Sequence, residues 1–169
     1  MPTSPAARPD PWQDPLDQLE RTGSFPIEMF LTFQVNQLSS AFERQWARFM
    51  REKAGVSLSE WRILAMLQHG PRTFAHVVEL TAMNKALAHR SARTLADLDL
   101  IGISDTPGDA RSTTLALSAK GRKLLAKVLP LSMKRQKLFL SALSAAERQA
   151  FYSALGKLRS VALEWEPDK

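Results

Sequence analysis

Apolar residues recur at helical spacing along most of the chain, and this spacing is interrupted after Leu100. Within residues 85–98 they stand three or four positions apart, which predicts an amphipathic helix. Beyond this point apolar and polar residues alternate over two short stretches, and the polar residues 105–112 between them contain a Pro-Gly pair. This alternation predicts two short strands joined by a turn. The apolar positions are Ala88, Ala92, Leu95 and Leu98 in the helix, and Ile101, Ile103, Leu115 and Leu117 in the strands.

Two helices are predicted ahead of this stretch. Ser24-Phe25-Pro26 is a helix-start pattern, and it predicts a first helix over residues 24–53. Ser57 and Glu60 stand at the spacing of a capping box and predict the start of a second helix. Gly70-Pro71 predicts its end, because proline cannot continue the helix.

Three more helix starts follow the same rules. Thr73 predicts the cap of a short helix over residues 74–81, and Ser118 predicts the cap of a long helix. Pro130 is expected to kink or split that long helix, because its ring removes one backbone hydrogen bond. Ser144 and Glu147 repeat the capping-box spacing at the start of the last helix.

Residues 1–23 are rich in proline and charge, which predicts a flexible arm. The arm also carries the apolar residues Trp12, Leu16 and Leu19. Two alternatives stay open for them: docking on a partner subunit, or disorder. The remaining residues 24–169 predict one mainly α domain with a small β-hairpin.

Composition narrows the classes of function. The chain has 169 residues, a formal net charge of +6 and no cysteine. The charge favours a polyanionic partner, and the missing thiols exclude disulfides and cysteine-based redox sensing. His69, His76 and His89 are not spaced as metal ligands, so neither a metal nor a cofactor is expected. We find no catalytic motif, no apolar run that would span a membrane and no signal peptide, and we therefore expect a cytoplasmic protein that is not an enzyme.

The helix over residues 85–98 has a basic face suited to duplex DNA. Residues three and four apart are neighbours on a helix, so this face gathers Lys85, His89, Arg90 and Arg93. Arg90 is the first candidate for a base or phosphate contact, Lys85 and Arg93 are candidates for phosphates, and Ala86 and His89 are candidates for base edges. Two further candidates lie outside this helix. The amides of the helix that Thr73 caps suit a phosphate, and Arg111, in the loop between the strands, is placed to enter the minor groove.

The same residues carry a resemblance to a known family. MNKALAHR, RTLADLDLI, the D-x-R of Asp109 and Arg111, and LALSAKGRKLL resemble the MarR family of winged helix-turn-helix transcriptional regulators. The resemblance implies a winged-helix lobe over residues 56–118 and dimerisation helices over residues 24–53 and 119–169. It also implies that Asp109 holds Arg111 in place. Asp99 stands where the family usually has glycine, and Ile103 where a basic residue is common; Asp tolerates the left-handed conformation better than most residues.

The family resemblance further implies a mechanism. A homodimeric repressor would bind a pseudo-palindromic double-stranded operator, and an aromatic carboxylate or phenolic effector would release it. The predicted effector contacts are Trp46, Phe49, Trp61 and Arg62, which supply aromatic walls and a carboxylate partner. The alternative for these residues is core packing for the aromatics and a surface position for Arg62. The alternative function is a winged-helix module for protein–protein contact without operator binding.

Overall fold

The computed structural model describes residues 12–106 and 108–165, and of residues 109–111 it describes the backbone only. The chain forms two compact units, residues 1–53 and 54–169, and each is described below by itself. Of the predicted arm, residues 1–11 lie outside the described residues, as do Pro107 and residues 166–169. No helix in the described part of the chain is long and apolar enough to cross a membrane.

The first unit contains two helices joined by a turn of 3-10 helix. Helix α1 spans Pro15–Thr22, the turn spans Ile27–Met29, and helix α2 spans Leu31–Ala54. Two predictions need correction here. The arm is helical over α1, because Asp14 caps its first turn and Gly23 adopts the left-handed conformation at its end. The long helix begins at Leu31 rather than Ser24, because the stacked rings of Phe25 and Phe30 enclose the 3-10 turn.

The second unit is a winged helix followed by two long helices. The helices are α3 (Leu58–Met66), α4 (Phe74–Thr81), α5 (Lys85–Asp97), α6 (Ala119–Ser141) and α7 (Ala145–Glu164). The strands are β1 (Arg72–Thr73), β2 (Ile101–Thr106) and β3 (Asp109–Leu117). They form an antiparallel sheet in the order β1-β3-β2, in which Leu115 pairs with both Ile103 and Arg72. The predicted hairpin is confirmed; β1 was not predicted, because two residues show no alternation.

Both predicted capping boxes are confirmed. The Ser57 amide donates to the Glu60 carboxylate at 2.7 Å, and the Glu60 amide donates to the Ser57 hydroxyl at 3.3 Å. Ser144 and Glu147 make the same pair of bonds at 2.7 and 3.3 Å. The structure contradicts a split at Pro130, since α6 runs unbroken through it. One missing amide donor costs a single bond, which the rest of a 23-residue helix can tolerate.

The core of the second unit lies among α3, α4, α5 and the sheet. Its fully buried side chains include Ile63, Leu64, Leu67, Val77, Leu95 and Leu115. Ala88 and Ala92 are buried as the spacing predicted, but Leu98 is exposed. The buried apolar face of α5 ends before Leu98, because Leu98 is the C-cap, where the chain leaves the helix.

Candidate nucleic-acid interface

Helix α5 presents one face to the core and another to solvent. Asn84 starts the helix, because its side-chain oxygen accepts from the Leu87 amide at 2.8 Å. The buried face consists of Ala88, Ser91, Ala92 and Leu95. All the predicted contact residues of α5 are exposed, namely Lys85, Ala86, His89, Arg90 and Arg93. The structure therefore brings these residues together on one solvent-facing surface, which we call the basic face of α5.

A chain of hydroxyl groups fixes α5 against α3. The Ser91 hydroxyl, 3% exposed, donates to the Ser59 hydroxyl at 2.9 Å, and Ser59 lies 3.1 Å from the hydroxyl of Ser57. Because a buried polar group left unpaired is costly, this chain favours one orientation of α5. Ser91 was not among the residues selected from the sequence. Its spacing of three from Ala88 and four from Leu95 places it on the buried face, and this signal could have identified it.

The far end of α5 is tied to the start of α6. The Lys120 ammonium donates to the carbonyl oxygen of Leu98, and the Ser118 hydroxyl donates to that of Asp99, both at 2.7 Å. The Ser118 amide donates to the carbonyl oxygen of Leu100 at 3.1 Å. Asp99 has a φ of 55°, so its predicted tolerance of the left-handed conformation is confirmed. The S-x-K-G segment of the MarR resemblance thus fixes the turn that ends α5.

The N-terminal half of α5 borders an open cavity of about 610 Å³. The Phe74 and His89 rings meet edge to face, with centroids 5.6 Å apart, which holds His89 on the cavity wall. Thr73 caps α4 as predicted, since its hydroxyl accepts from the His76 amide at 3.3 Å. Ser112 and Thr113 of β3 complete the cavity, and no pattern in the sequence pointed to them. The cavity therefore joins α4, α5 and the wing.

The wing is a two-stranded ribbon with an irregular end. Its register shifts between Asp105 and Thr106, and the hydroxyl groups of Thr106 and Thr114 lie 2.9 Å apart across it. Asp109 and Arg111 belong to β3 by their backbone, but their side chains lie outside the described residues. Their predicted roles stay predictions. Ile103, at the position where the resemblance leads one to expect a basic residue, is exposed.

The basic face carries charge that the protein does not neutralise itself. Among the described side chains, Lys85, Arg90 and Arg93 have no carboxylate oxygen within 4.0 Å. Exposed cations on a helix anchored at its middle and at its C-terminal end form a surface suited to phosphate and base-edge contacts.

The predicted effector contacts fall into two pairs, one in each unit. In the first unit, the Trp46 and Phe49 rings stack with centroids 4.8 Å apart, and Trp46 is buried. In the second unit, Trp61 is buried and Arg62 is half-buried. Burial of both tryptophans fits the core-packing alternative as well, so their role toward an effector stays a prediction.

A second cavity, which was not predicted from the sequence, lies within the second unit. It measures about 440 Å³ and is lined by the segment that follows α3, the end of β3 and α6. Gln68, His69 and Arg122 supply its polar side chains, and Leu67 and Leu125 are among the apolar ones. The Arg122 guanidinium donates to the carbonyl oxygen of Leu117 at 2.7 Å, which holds it in place. Its chemistry suits a small planar acid.

Comparison with known proteins agrees with this geometry. The model of the MarR family matches residues 54–112, from the start of the second unit into β3. The transcriptional repressor NicR of Pseudomonas putida is 28% identical over 132 residues, which cover 76% of this chain and 84% of that protein.

Two solved structures share the fold. A MarR/EmrR family regulator from Acinetobacter sp. ADP1 has a TM-score of 0.77 at 22% identity, covering 83% of this chain and 100% of its own. Bordetella bronchiseptica BpsR, whose DNA binding is regulated by 6-hydroxynicotinic acid, has a TM-score of 0.61 at 22% identity, covering 75% of this chain and 98% of its own. With its winged helix and exposed basic face, the chain is therefore similar to the MarR family of DNA-binding transcriptional regulators.

Proposed function

We propose that this chain is a homodimeric repressor that reads a pseudo-palindromic operator and is released by a small aromatic acid. The observation that carries the proposal is the basic face of α5, which is exposed on a helix held in its middle by the Ser91 contact and at its C-terminal end by the Lys120 contact. A rigidly held helix with exposed cations is what major-groove reading requires. A repressor role is supported by the similarity to NicR.

Contacts to the operator divide by chemistry. Arg90 reads a base edge, since a guanidinium pairs with guanine through two hydrogen bonds. Lys85 and Arg93 contact phosphates on either side, while Ala86 and His89 approach base edges. The first turn of α4, capped by Thr73, offers backbone amides to a phosphate. In the wing, Arg111 enters the minor groove and Asp109 orients it.

Dimerisation is supported by apolar surface that a single chain leaves uncovered. Every described residue of α7 is at least partly exposed, and most of its large apolar side chains recur at helical spacing. These side chains are Phe151, Leu155, Leu158 and Val161. Helix α2 has a similar exposed stripe, which includes Val35 and Leu38. Stripes of this kind are typical of a helical interface between two copies.

In the proposed dimer, the distance between the two copies of α5 determines whether the protein can bind its operator. Two copies of α5 must lie about 34–36 Å apart to enter successive major grooves. An effector that prefers another spacing releases the operator by shifting the population of conformations, with a coupling free energy of about 1–3 kcal/mol.

The DNA assignment is tested by gel shift with DNA from upstream of the chain's own gene. We expect Arg90→Ala to weaken operator binding by about 1–3 kcal/mol and to flatten base preference at one position per half-site. Arg111→Ala should weaken binding through the wing and reduce the salt dependence of binding if its contact is to phosphate. Arg159→Ala, a charge-matched change on α7, is the control. Equal affinity of all variants and the parent would contradict the assignment, and no shift at any salt concentration would favour the protein-contact alternative.

The effector assignment is tested by calorimetry with benzoate and pyridine carboxylates, in the presence and absence of operator. BpsR is regulated by an acid of this class, which supports the choice. By linkage, operator should weaken effector binding by the same factor as effector weakens operator binding. Arg62→Ala tests the effector contact predicted from the sequence, and Arg122→Ala tests the second cavity. The variant that weakens effector binding identifies the site. Binding that is indifferent to operator would remove the effector from the mechanism.

A further inference from the structure

A groove at the C-terminal end of α5 takes no part in the proposed DNA contacts. It measures about 390 Å³, and its apolar floor includes Val56, Leu98, Leu100 and Leu124. One wall is formed by Lys120, Lys123 and Lys127 of α6. Leu98 of this groove lies beyond the basic face of α5, whose last residue, Arg93, comes five positions earlier, or about 7.5 Å along the helix.

The lysine wall lacks an anionic partner. The three lysines stand three and four positions apart on one face of α6, where like charges repel. Among the described residues, none of the three has a carboxylate oxygen within 4.0 Å, and Lys120 alone is bonded, to the carbonyl oxygen of Leu98. An apolar floor beside such a wall suits an occupant with an apolar stripe and an acidic flank.

Helix α1 has this complementary character. It is eight residues long and has no buried residue; Leu16 is 61% exposed and Leu19 48%. Asp17 and Glu20 lie on one flank of the Leu16 and Leu19 stripe, by the periodicity of the helix. So short a helix is marginal in water by itself, because too few hydrogen bonds offset the cost of nucleation. It needs a surface to pack on.

We propose that α1 of one copy docks in the lysine-walled groove of a second copy. Leu16 and Leu19 lie on the floor, and Asp17 and Glu20 face Lys123 and Lys127. The lengths agree: α1 extends about 12 Å, and the wall from Lys120 to Lys127 extends about 10.5 Å. The contact rests on the proposed dimer, but it does not require DNA binding.

Within one copy, a short connection joins α1 to α2. The Phe25 and Phe30 rings stack with centroids 5.7 Å apart, which shortens the segment between α1 and α2. The exposed apolar stripes of α2 and α7 already favour a dimer, so a second copy is available to receive the helix.

Cysteine cross-linking tests the contact cleanly, because the full chain has no native cysteine. A tagged Leu16→Cys chain is mixed with an untagged Leu124→Cys chain, subunits are exchanged, and a short bismaleimide is added. We expect a cross-linked pair of one tagged and one untagged chain. Ala126→Cys, exposed on another face of α6, is the matched control and should give only background.

Charge reversal then tests the acid–lysine pairing. Lys123→Glu with Lys127→Glu, in the Leu124→Cys chain, should lower the cross-link yield by roughly tenfold. Adding Asp17→Lys and Glu20→Lys to the Leu16→Cys chain should restore it. Light scattering on the same samples reports whether the chains are dimeric, so failure of the dimer and failure of the α1 contact are told apart. The proposal would be overturned if the chains are dimeric but cross-link only at background level. It would also be overturned if the cross-link yield does not change with charge reversal, or if the chains are monomeric.

Discussion

Gly121 occupies a position where the packing leaves no room for a side chain. It is buried in the first turn of α6, and a Cβ built on it would lie 1.9 Å from the carbonyl oxygen of Leu100. This close approach lets Ser118 and Lys120 reach the turn that ends α5. A single glycine thus positions α5 against α6.

We expect Gly121→Ala to destabilise the protein by about 2–4 kcal/mol, because a backbone atom must move to admit the methyl group. Gly102→Ala is the matched control in the same unit. Gly102 has an ordinary φ and no atom within 4 Å of the place where its methyl group would lie, so we expect a change between zero and about 1 kcal/mol of stabilisation. Urea unfolding followed by tryptophan fluorescence measures both. Equal unfolding midpoints for the two variants would contradict the role of Gly121.

Single residues also show what sequence can and cannot predict. The exposure of Arg90 and the left-handed Asp99 followed from local rules, since helical periodicity and backbone sterics act over a few residues. The Ser91–Ser59 bond joins residues 32 positions apart, and no local rule specifies such a pairing. Ser112 and Thr113 reach the cavity beside α5 only because β3 pairs with β2.

At the scale of elements, capping residues predicted the ends of helices better than prolines did. The start of α7 illustrates this, since Ser144 and Glu147 cap it as the sequence predicted. Pro130 did not end α6, and α1 was missed in the proline-rich arm, although its Asp14 and Gly23 caps were present in the sequence. Compositional bias toward disorder was outweighed there by two local hydrogen-bonding patterns.

The cap of α7 predicts a dependence on pH. The Ser144 amide, and then its hydroxyl, hold the pKa of Glu147 below its ordinary value. A carboxyl group with a lowered pKa in the folded protein contributes stability at neutral pH. That contribution is lost as the pH falls below the ordinary value and through the lowered pKa. NMR titration of the Glu147 carboxyl should show the lowered midpoint, and Ser144→Ala should raise it. Because Ser144→Ala keeps the amide, a midpoint unchanged by this substitution would contradict the contribution of the hydroxyl.

The described part of the chain contains a winged helix with an exposed basic face, and helices α2 and α7 with exposed apolar stripes. The net charge of +6 favours DNA at long range, but it specifies neither the operator nor the number of subunits. The sequence predicted the winged helix well because its motifs are contiguous. The geometry of the proposed dimer could not be predicted in the same way, since it depends on two chains.

Helix α7 provides the test of the two-copy mechanism. Leu158 is 38% exposed within the stripe, so we expect Leu158→Glu to bury a carboxylate between the two copies and to yield a monomer by light scattering. Ser160→Glu adds the same charge on the opposite face of α7 and should stay dimeric. Two linked half-site contacts bind far more tightly than one, so the monomer should lose at least about 100-fold in affinity for the full operator. It should still bind an isolated half-site as the parent does, because the basic face of α5 is unchanged. A monomer that retained full operator affinity would show that one subunit suffices, and an unchanged dimer would place the interface elsewhere.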